Sequence, residues 1–289
     1  MTATPDSRNA GGEADPPSAA HLGARTRAIV RRGVSDLLTE PRADAPRASQ
    51  ASLGSVLRLV DQCERWYRAH GEDLYLGWLR ADEVSLVTAE EARRWSAEVT
   101  HQVSVPRAFI HAQPRVQASV LARAGLRTPL AVIAEEERWL RVRMPDGRDG
   151  WIAAQAAAAD DPVRQGDRAG LITLARTLLE TPYLWGGTTP WGLDCSGLIQ
   201  LVYGAAGTSL PRDSDQQLAA CAPLREADLL PGDLVGFPEH VGIYLDGHRL
   251  LHANSLHARV TIDSLDAAAS PYSRWLAGNL TGYARVPGW

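Results

Sequence analysis

The chain has no lysine, and all 30 of its basic residues are arginines, a usage that reads as genomic composition bias. Set against 34 acidic residues, they leave a net charge of −4 and a pI near 6.1. That balance gives no electrostatic case for nucleic acid or an anionic membrane surface as a partner. Cysteine is scarce too. Cys63, Cys195 and Cys221 are odd in number and form no Cys-x-x-Cys pair, which excludes a disulfide framework and suits a reducing compartment. No apolar run approaches membrane-spanning length. The first twenty residues are polar, with Asp, Glu, Gly and Pro and no apolar core, so they read neither as a secretory signal nor as an anchor. If Met1 is the native start, the expected location is cytoplasmic.

At 289 residues the chain has room for two or three domains. Residues 1–23 lack periodicity and read as a disordered tail. Short apolar alternations then run in two similar stretches, 24–97 and 98–160. Val56-Leu-Arg-Leu-Val, Trp66-Tyr-Arg and Leu76-Gly-Trp-Leu each suit a strand. The stretches are linked by a repeat. Arg65-Trp66 precedes Gly77-Trp78, and Arg138-Trp139 precedes Gly150-Trp151, with a tryptophan spacing of 12 both times and an offset of 73. Two small barrels of five or six strands are expected, each with a tryptophan-bearing hairpin. An Ala-rich linker follows, and residues 166–289 open with a helical stripe through Leu171, Leu174, Ala175, Leu178 and Leu179.

The stretch from Pro182 to Gly204 organises this last domain. A Gly/Pro/aromatic loop leads to Asp194-Cys-Ser-Gly, and an apolar segment at helical spacing ends at Gly204 and Gly207. Asp194 is a natural N-cap, so Cys195 is expected in the first turn, where the macrodipole and free N–H groups favour a thiolate. Cys195 is thus a candidate nucleophile, or else a small buried hydrophobe. Cys63 and Cys221 have no such setting and are assigned to packing. Downstream, Leu229-Leu-Pro-Gly-Asp-Leu-Val-Gly-Phe reads as a turn entering a strand, and His240-Val-Gly-Ile-Tyr-Leu, Arg249-Leu-Leu-His-Ala and Thr281-Gly-Tyr-Ala-Arg-Val suit strands. The Asp246-Gly247 turn joins the His240 and Arg249 strands, bringing His240 and His252 onto one face. One Cys and two His also match three ligands of an open zinc site, but no fourth ligand or Glu base lies near, so no metal and no cofactor are expected. His248 and His257, at or beside turns, read as solvated.

Tyr183-Leu-Trp-Gly-Gly, Asp194-Cys-Ser-Gly, Gly232-Asp-Leu-Val and His240-Val-Gly-Ile-Tyr, in that order, resemble the NlpC family of cysteine peptidases, and the two preceding stretches resemble bacterial SH3-like barrels. The resemblance implies an α+β papain-like catalytic domain preceded by two small all-β SH3-like barrels. It implies a Cys195–His240–His252 triad, with His240 as base and His252 fixing its tautomer. The Cys195 N–H and the Tyr183 hydroxyl would meet the oxyanion. Tyr183, Asp194, Ser196 and the Arg212-Asp213-Ser214 loop put carboxylates and hydroxyls around the nucleophile, which suits an ammonium and amides, unless Asp194 only caps and Asp213 only turns. Likeness to the YkfC type of the family implies that Tyr183, Asp194, Ser196 and Ser214 hold a free N-terminal L-Ala followed by γ-linked D-Glu. It also implies that an acidic and an aromatic residue of the first barrel close that subsite, and Glu40 and Tyr75 match best. The expectation is a γ-D-glutamyl–diamino-acid endopeptidase whose partner is a murein peptide, L-Ala-γ-D-Glu-diamino acid. The alternatives are a secreted peptidoglycan hydrolase acting on intact wall, or a catalytically inactive wall-binding protein.

Overall fold

A computed structural model describes residues 22–71 and 73–289, so residues 1–21 of the expected tail lie outside the described residues. Two all-β units come first, and they are built alike. In the first, strands run in the order Arg47–Ser52, Val34–Leu38, Leu76–Arg80, Trp66–His70, Val56–Cys63, Arg27–Val30 and Val84–Val87. In the second, the same order is kept by Val120–Gly125, Arg107–His111, Asp149–Ala153, Trp139–Arg143, Pro129–Glu136, His101–Val103 and Ala157–Ala158. Each sheet therefore has seven strands where five or six were expected, because short edge pieces join it.

The tryptophan repeat marks equivalent hairpins. Arg68 lies opposite Trp78 and Arg141 opposite Trp151, with the guanidinium over the indole at 5.9 and 5.8 Å respectively. Such cation–π pairs stabilise a strand face that has no room for a core of its own. Inward-facing residues at every second position, among them Leu57, Leu59, Tyr67, Ala69 and Leu79, fill the first unit. Leu22 joins them, so this core begins ahead of residue 24. Cys63 departs from expectation. It sits at the exposed end of its strand, beyond the buried alternation, while Cys221 is buried as expected. Between the units runs the helix Ala89–Glu98, started by a capping box in which Thr88 and Glu91 satisfy each other's backbone N–H.

The third unit is α+β. Its antiparallel sheet runs in the order Ala222–Leu224, Gly282–Arg285, Leu234–Phe237, His240–Tyr244, Arg249–Asn254 and Arg259–Ser264. The Cys195–Gly204 helix packs on it through Leu198, Ile199, Leu201 and Val202, against Val241, Ile243, Leu251 and Ala253. Burial of this kind contributes about 1.5–3 kcal/mol per large side chain, which holds the helix in place and so positions Cys195. Asp233, of Gly232-Asp-Leu-Val, is 1% exposed and accepts hydrogen bonds from Arg285, Arg168 and the Leu230 N–H. It is a fastening point of the fold. No helix among the described residues is long and apolar enough to cross a membrane.

The 185–191 loop is gripped by both barrels. From the first, Arg47 Nη1 donates to the Trp185 carbonyl at 3.0 Å, and Gln50 Oε1 accepts from the Thr188 N–H at 3.1 Å and the Thr189 hydroxyl at 3.2 Å. From the second, Arg107 Nε donates to the Pro190 carbonyl at 2.7 Å. Arg107 and Arg123 also stack on Trp191, at 5.3 and 5.1 Å.

Candidate active site

Asp194 caps the Cys195–Gly204 helix as expected, its Oδ1 accepting from the Gly197 N–H at 2.7 Å. Gly197 is needed there. A Cβ would lie 2.1 Å from the Gly187 carbonyl oxygen, so only glycine lets the Gly186-Gly187 loop close over the helix start. Asp194 does much more than cap. Oδ1 also accepts from Arg212 Nη1 at 3.0 Å and the Ser196 hydroxyl at 3.3 Å, while Oδ2 accepts from the Gly186 N–H at 2.9 Å and from Arg212 Nη2. A carboxylate has about four lone-pair positions, so this one is saturated. The Ser196 hydroxyl, in turn, accepts from Arg212 Nη1 at 2.8 Å. Asp194 and Ser196, expected among the groups that meet the substrate, are both committed to a buried corner with Arg212, which is itself 3% exposed. Sequence reasoning treated Arg212 as one residue of a loop. Its burial, which only the tertiary fold reveals, makes it the keystone.

Cys195 lies with its Sγ 4.0 Å from the Glu239 carbonyl oxygen, directly before His240. Burial pushes its thiol up to about 12, and the Asp194 charge adds to this, while the N–H groups of Val241 and Ser196 and the Arg212 charge pull the other way. The thiolate expected from the helix start is therefore outweighed, because desolvation of a buried anion exceeds what one turn of backbone dipoles returns. His240 shifts to match. Burial, and after it the repulsion from the neighbouring His252 when that ring is protonated, bring it down to about 3, against an opposing effect of Asp263. Both shifts favour a neutral thiol and imidazole at rest.

The hairpin does bring the two imidazoles together: His240 Nε2 lies 2.8 Å from His252 Nδ1. Gly242 makes this possible, since a Cβ there would run into Leu250 Cδ1 at 2.7 Å and His252 Cβ at 3.2 Å. His252 is fully buried, and its Nε2 lies 3.1 Å from Asp263 Oδ2. Sequence reasoning missed Asp263. His257, read as solvated, is exposed, and its Nε2 lies 3.3 Å from the same Asp263 oxygen. Among the described residues, no group of three or more His, Cys, Asp and Glu is arranged to hold a metal ion.

Near Cys195, Tyr183 is half-buried. Burial raises its hydroxyl's pKa, and the nearby Cys195 and Asp194 add to the effect, so it remains a donor. Asp213 precedes the Ser214–Ala219 helix, and Ser214 opens that helix half-buried. Tyr75 reaches over from the first barrel and hydrogen-bonds Asp213. Burial and then the Asp213 charge push the Tyr75 hydroxyl up to about 12. Burial likewise raises the Asp213 carboxyl, against the Arg212 charge and the Tyr75 hydrogen bond. Glu40 is not brought in with them. It sits in an exposed turn, where its carboxylate accepts from Arg42 Nε at 3.0 Å.

A papain-like α+β domain carrying a buried cysteine beside a histidine pair, behind two SH3-like barrels, defines the class. Residues 180–277 match the NlpC/P60 family model, and residues 104–156 match the bacterial SH3 domain. The chain is 25% identical over 266 residues to dipeptidyl-peptidase 6 of Lysinibacillus sphaericus, covering 88% of this chain and 97% of that one. It is 27% identical over 239 residues to a gamma-D-glutamyl-L-lysine dipeptidyl-peptidase of Bacillus cereus, covering 75% and 70%. The crystal structure of an NlpC/P60 family protein from Bacillus cereus superposes with a TM-score of 0.79 over 90% of this chain and 99% of that one, at 20% identity, a likeness of fold. Residues 180–277 are thus an NlpC/P60 cysteine peptidase domain, and residues 104–156 a bacterial SH3 domain.

Proposed function

We propose that the protein is a cysteine endopeptidase that cuts the γ-D-Glu–diamino acid bond of murein peptides bearing a free N-terminal L-Ala, and that it works in the cytoplasm on peptides already freed from glycan. Cys195 Sγ attacks the γ-carbonyl of D-Glu, and His240 takes the thiol proton. The Cys195 N–H and the Tyr183 hydroxyl receive the developing oxyanion. His240 then protonates the leaving amine of the diamino acid, and water releases the acyl group from sulfur.

The observation that carries this reading is the Tyr75–Asp213 contact, which brings a residue of the first barrel to the position after Arg212. A side chain held there would limit what can precede L-Ala. With Asp194 saturated, Asp213 is the carboxylate left to meet its ammonium, and Ser214 stands beside it. Glu40, neutralised by Arg42, has no place in this subsite. The names of the Bacillus cereus and Bacillus subtilis relatives, gamma-D-glutamyl-L-lysine dipeptidyl-peptidases, support the bond type.

The test compares free L-Ala-γ-D-Glu-diaminopimelate, its lysine counterpart, their N-acetylated forms and whole sacculi, using wild type and Cys195→Ala. The expectation is cleavage of the free-amine peptides alone, abolished by at least about a thousandfold in Cys195→Ala. Equal cleavage of blocked peptides, or release from sacculi, would favour the wall-hydrolase reading instead.

A further inference from the structure

The geometry points to Asp263 as a fourth member of the relay behind Cys195: a positioning residue that sets the tautomers of both His252 and His240. The inference rests on the Cys195–His240–His252 reading above and extends it by one residue.

The chain of contacts leaves little freedom for the protons. An ionised carboxylate only accepts hydrogen bonds, so the nitrogen of His252 that faces Asp263, Nε2 at 3.1 Å, must carry a proton. A neutral imidazole has one N–H. His252 Nδ1 is thereby left with its lone pair, and it lies 2.8 Å from His240 Nε2. That nitrogen must therefore be the donor of the second contact. The one proton of neutral His240 is on Nε2, and Nδ1 is left bare. Nδ1 is the ring nitrogen nearer the residue's own backbone, and Cys195 Sγ lies against that backbone, between the Glu239 carbonyl and the Val241 N–H. Asp263, two residues removed from the sulfur, thus decides that His240 keeps its free lone pair on Nδ1, the ring nitrogen on the backbone side where the thiol lies.

Without the carboxylate, His252 is free to carry its proton on Nδ1 and donate it to His240 Nε2. His240 would then hold its proton on Nδ1, where it cannot accept another from Cys195. The base would be in place but wrongly protonated. Burial makes this matter. His252 is fully buried and Asp263 is 2% exposed, so no bulk water competes for either group. Asp263 lies on the strand next to His252, where His252 pairs with Thr261 and Asp263 stands one step diagonal to it. His257 reaches the same Asp263 oxygen at 3.3 Å from an exposed position, so the carboxylate serves two imidazoles.

The test has two independent arms. In wild type, the ¹⁵N shifts of the imidazoles read the tautomers directly, and His252 and His240 should both carry their protons on Nε2. A proton on His252 Nδ1 alone would overturn the proposal without any variant being made. In the second arm, Asp263→Asn keeps the side-chain volume and removes the charge. Its kcat on the free tripeptide should fall on the order of a hundredfold or more with KM little changed, since the substrate never touches this group. That loss is smaller than the about 10⁴-fold cost of neutralising a carboxylate that contacts the base itself. The shifts of the variant should show the His252 proton moved to Nδ1. An Asp263→Asn protein with kcat within threefold of wild type, beside an inactive Cys195→Ala, would refute the role of Asp263 and leave the triad standing. Activity persisting in Cys195→Ala would instead remove the triad itself.

Discussion

Replacing Arg212 with Ala probes the corner on which Cys195 stands. Arg212 and Asp194 are 3% and 10% exposed in their side chains, and the pair is bidentate. Truncating the arginine leaves the Asp194 carboxylate buried, with the N–H groups of Gly197 and Gly186 and the Ser196 hydroxyl but no counter-charge. Removing one partner of such a pair costs about 3–5 kcal/mol, a large share of the roughly 5–15 kcal/mol that keeps a domain folded. With a urea m-value near 2 kcal/mol/M, the unfolding midpoint should drop by about 1.5–2.5 M. The perturbation also reaches the sulfur. The Arg212 charge is one of the few influences favouring the Cys195 thiolate and Asp194 opposes it, so the variant should alkylate more slowly than wild type at the same pH. Asp194→Asn added to Arg212→Ala removes the orphaned charge and should recover part of both losses. Urea titration followed by tryptophan fluorescence measures the first effect, and iodoacetamide labelling read by mass spectrometry measures the second. If Arg212→Ala unfolds at the wild-type midpoint, or the double variant is no better than the single, the corner is not held by this pair.

Two further outcomes follow from the site. Because burial raises the Cys195 thiol to about 12, its thiolate is scarce at neutral pH. Its labelling rate in a Cys63→Ala background should climb about tenfold per pH unit from 7 to 10, and a plateau below pH 8 would show that the helix start wins after all. Tyr75→Phe deletes the hydroxyl that meets Asp213 and nothing else. At about 0.5–1.5 kcal/mol for such a bond, KM for the free-amine peptide should rise roughly two- to tenfold with kcat nearly unchanged, and an unaltered KM would place the substrate's N-terminus elsewhere.

What could be read from the sequence was what local pattern encodes. The tryptophan hairpins, the Asp194-capped helix and the hairpin joining His240 to His252 are short-range features, written in turn residues and periodicity. The Ala89–Glu98 helix was equally local, signalled by Thr88 and Glu91, and a strand-by-strand reading of that region passes over it. Asp263 was not readable. Its meeting with His252 depends on the register of two strands, and one step of slippage would turn it to the other face. Arg212 was visible as a residue, but nothing local says that an arginine in a polar loop will be buried. The same limit explains the thiol, since the helix start is local and the desolvation that outweighs it is not. Glu40 shows the converse: a residue chosen by its place in the chain is claimed by an arginine two positions away.

The grip of both barrels on residues 185–191 gives the order of synthesis a role. Domains emerge from the ribosome N-terminal first, so Arg47, Gln50, Arg107 and Arg123 are in place before Trp185 to Trp191 is made. The loop that closes over the Cys195 helix then folds onto a finished surface. A C-terminal domain cut free of its barrels would carry Cys195, His240 and His252 and still lack that surface. A fragment released by proteolysis behind residue 160 would be a chain with its cysteine and without its template.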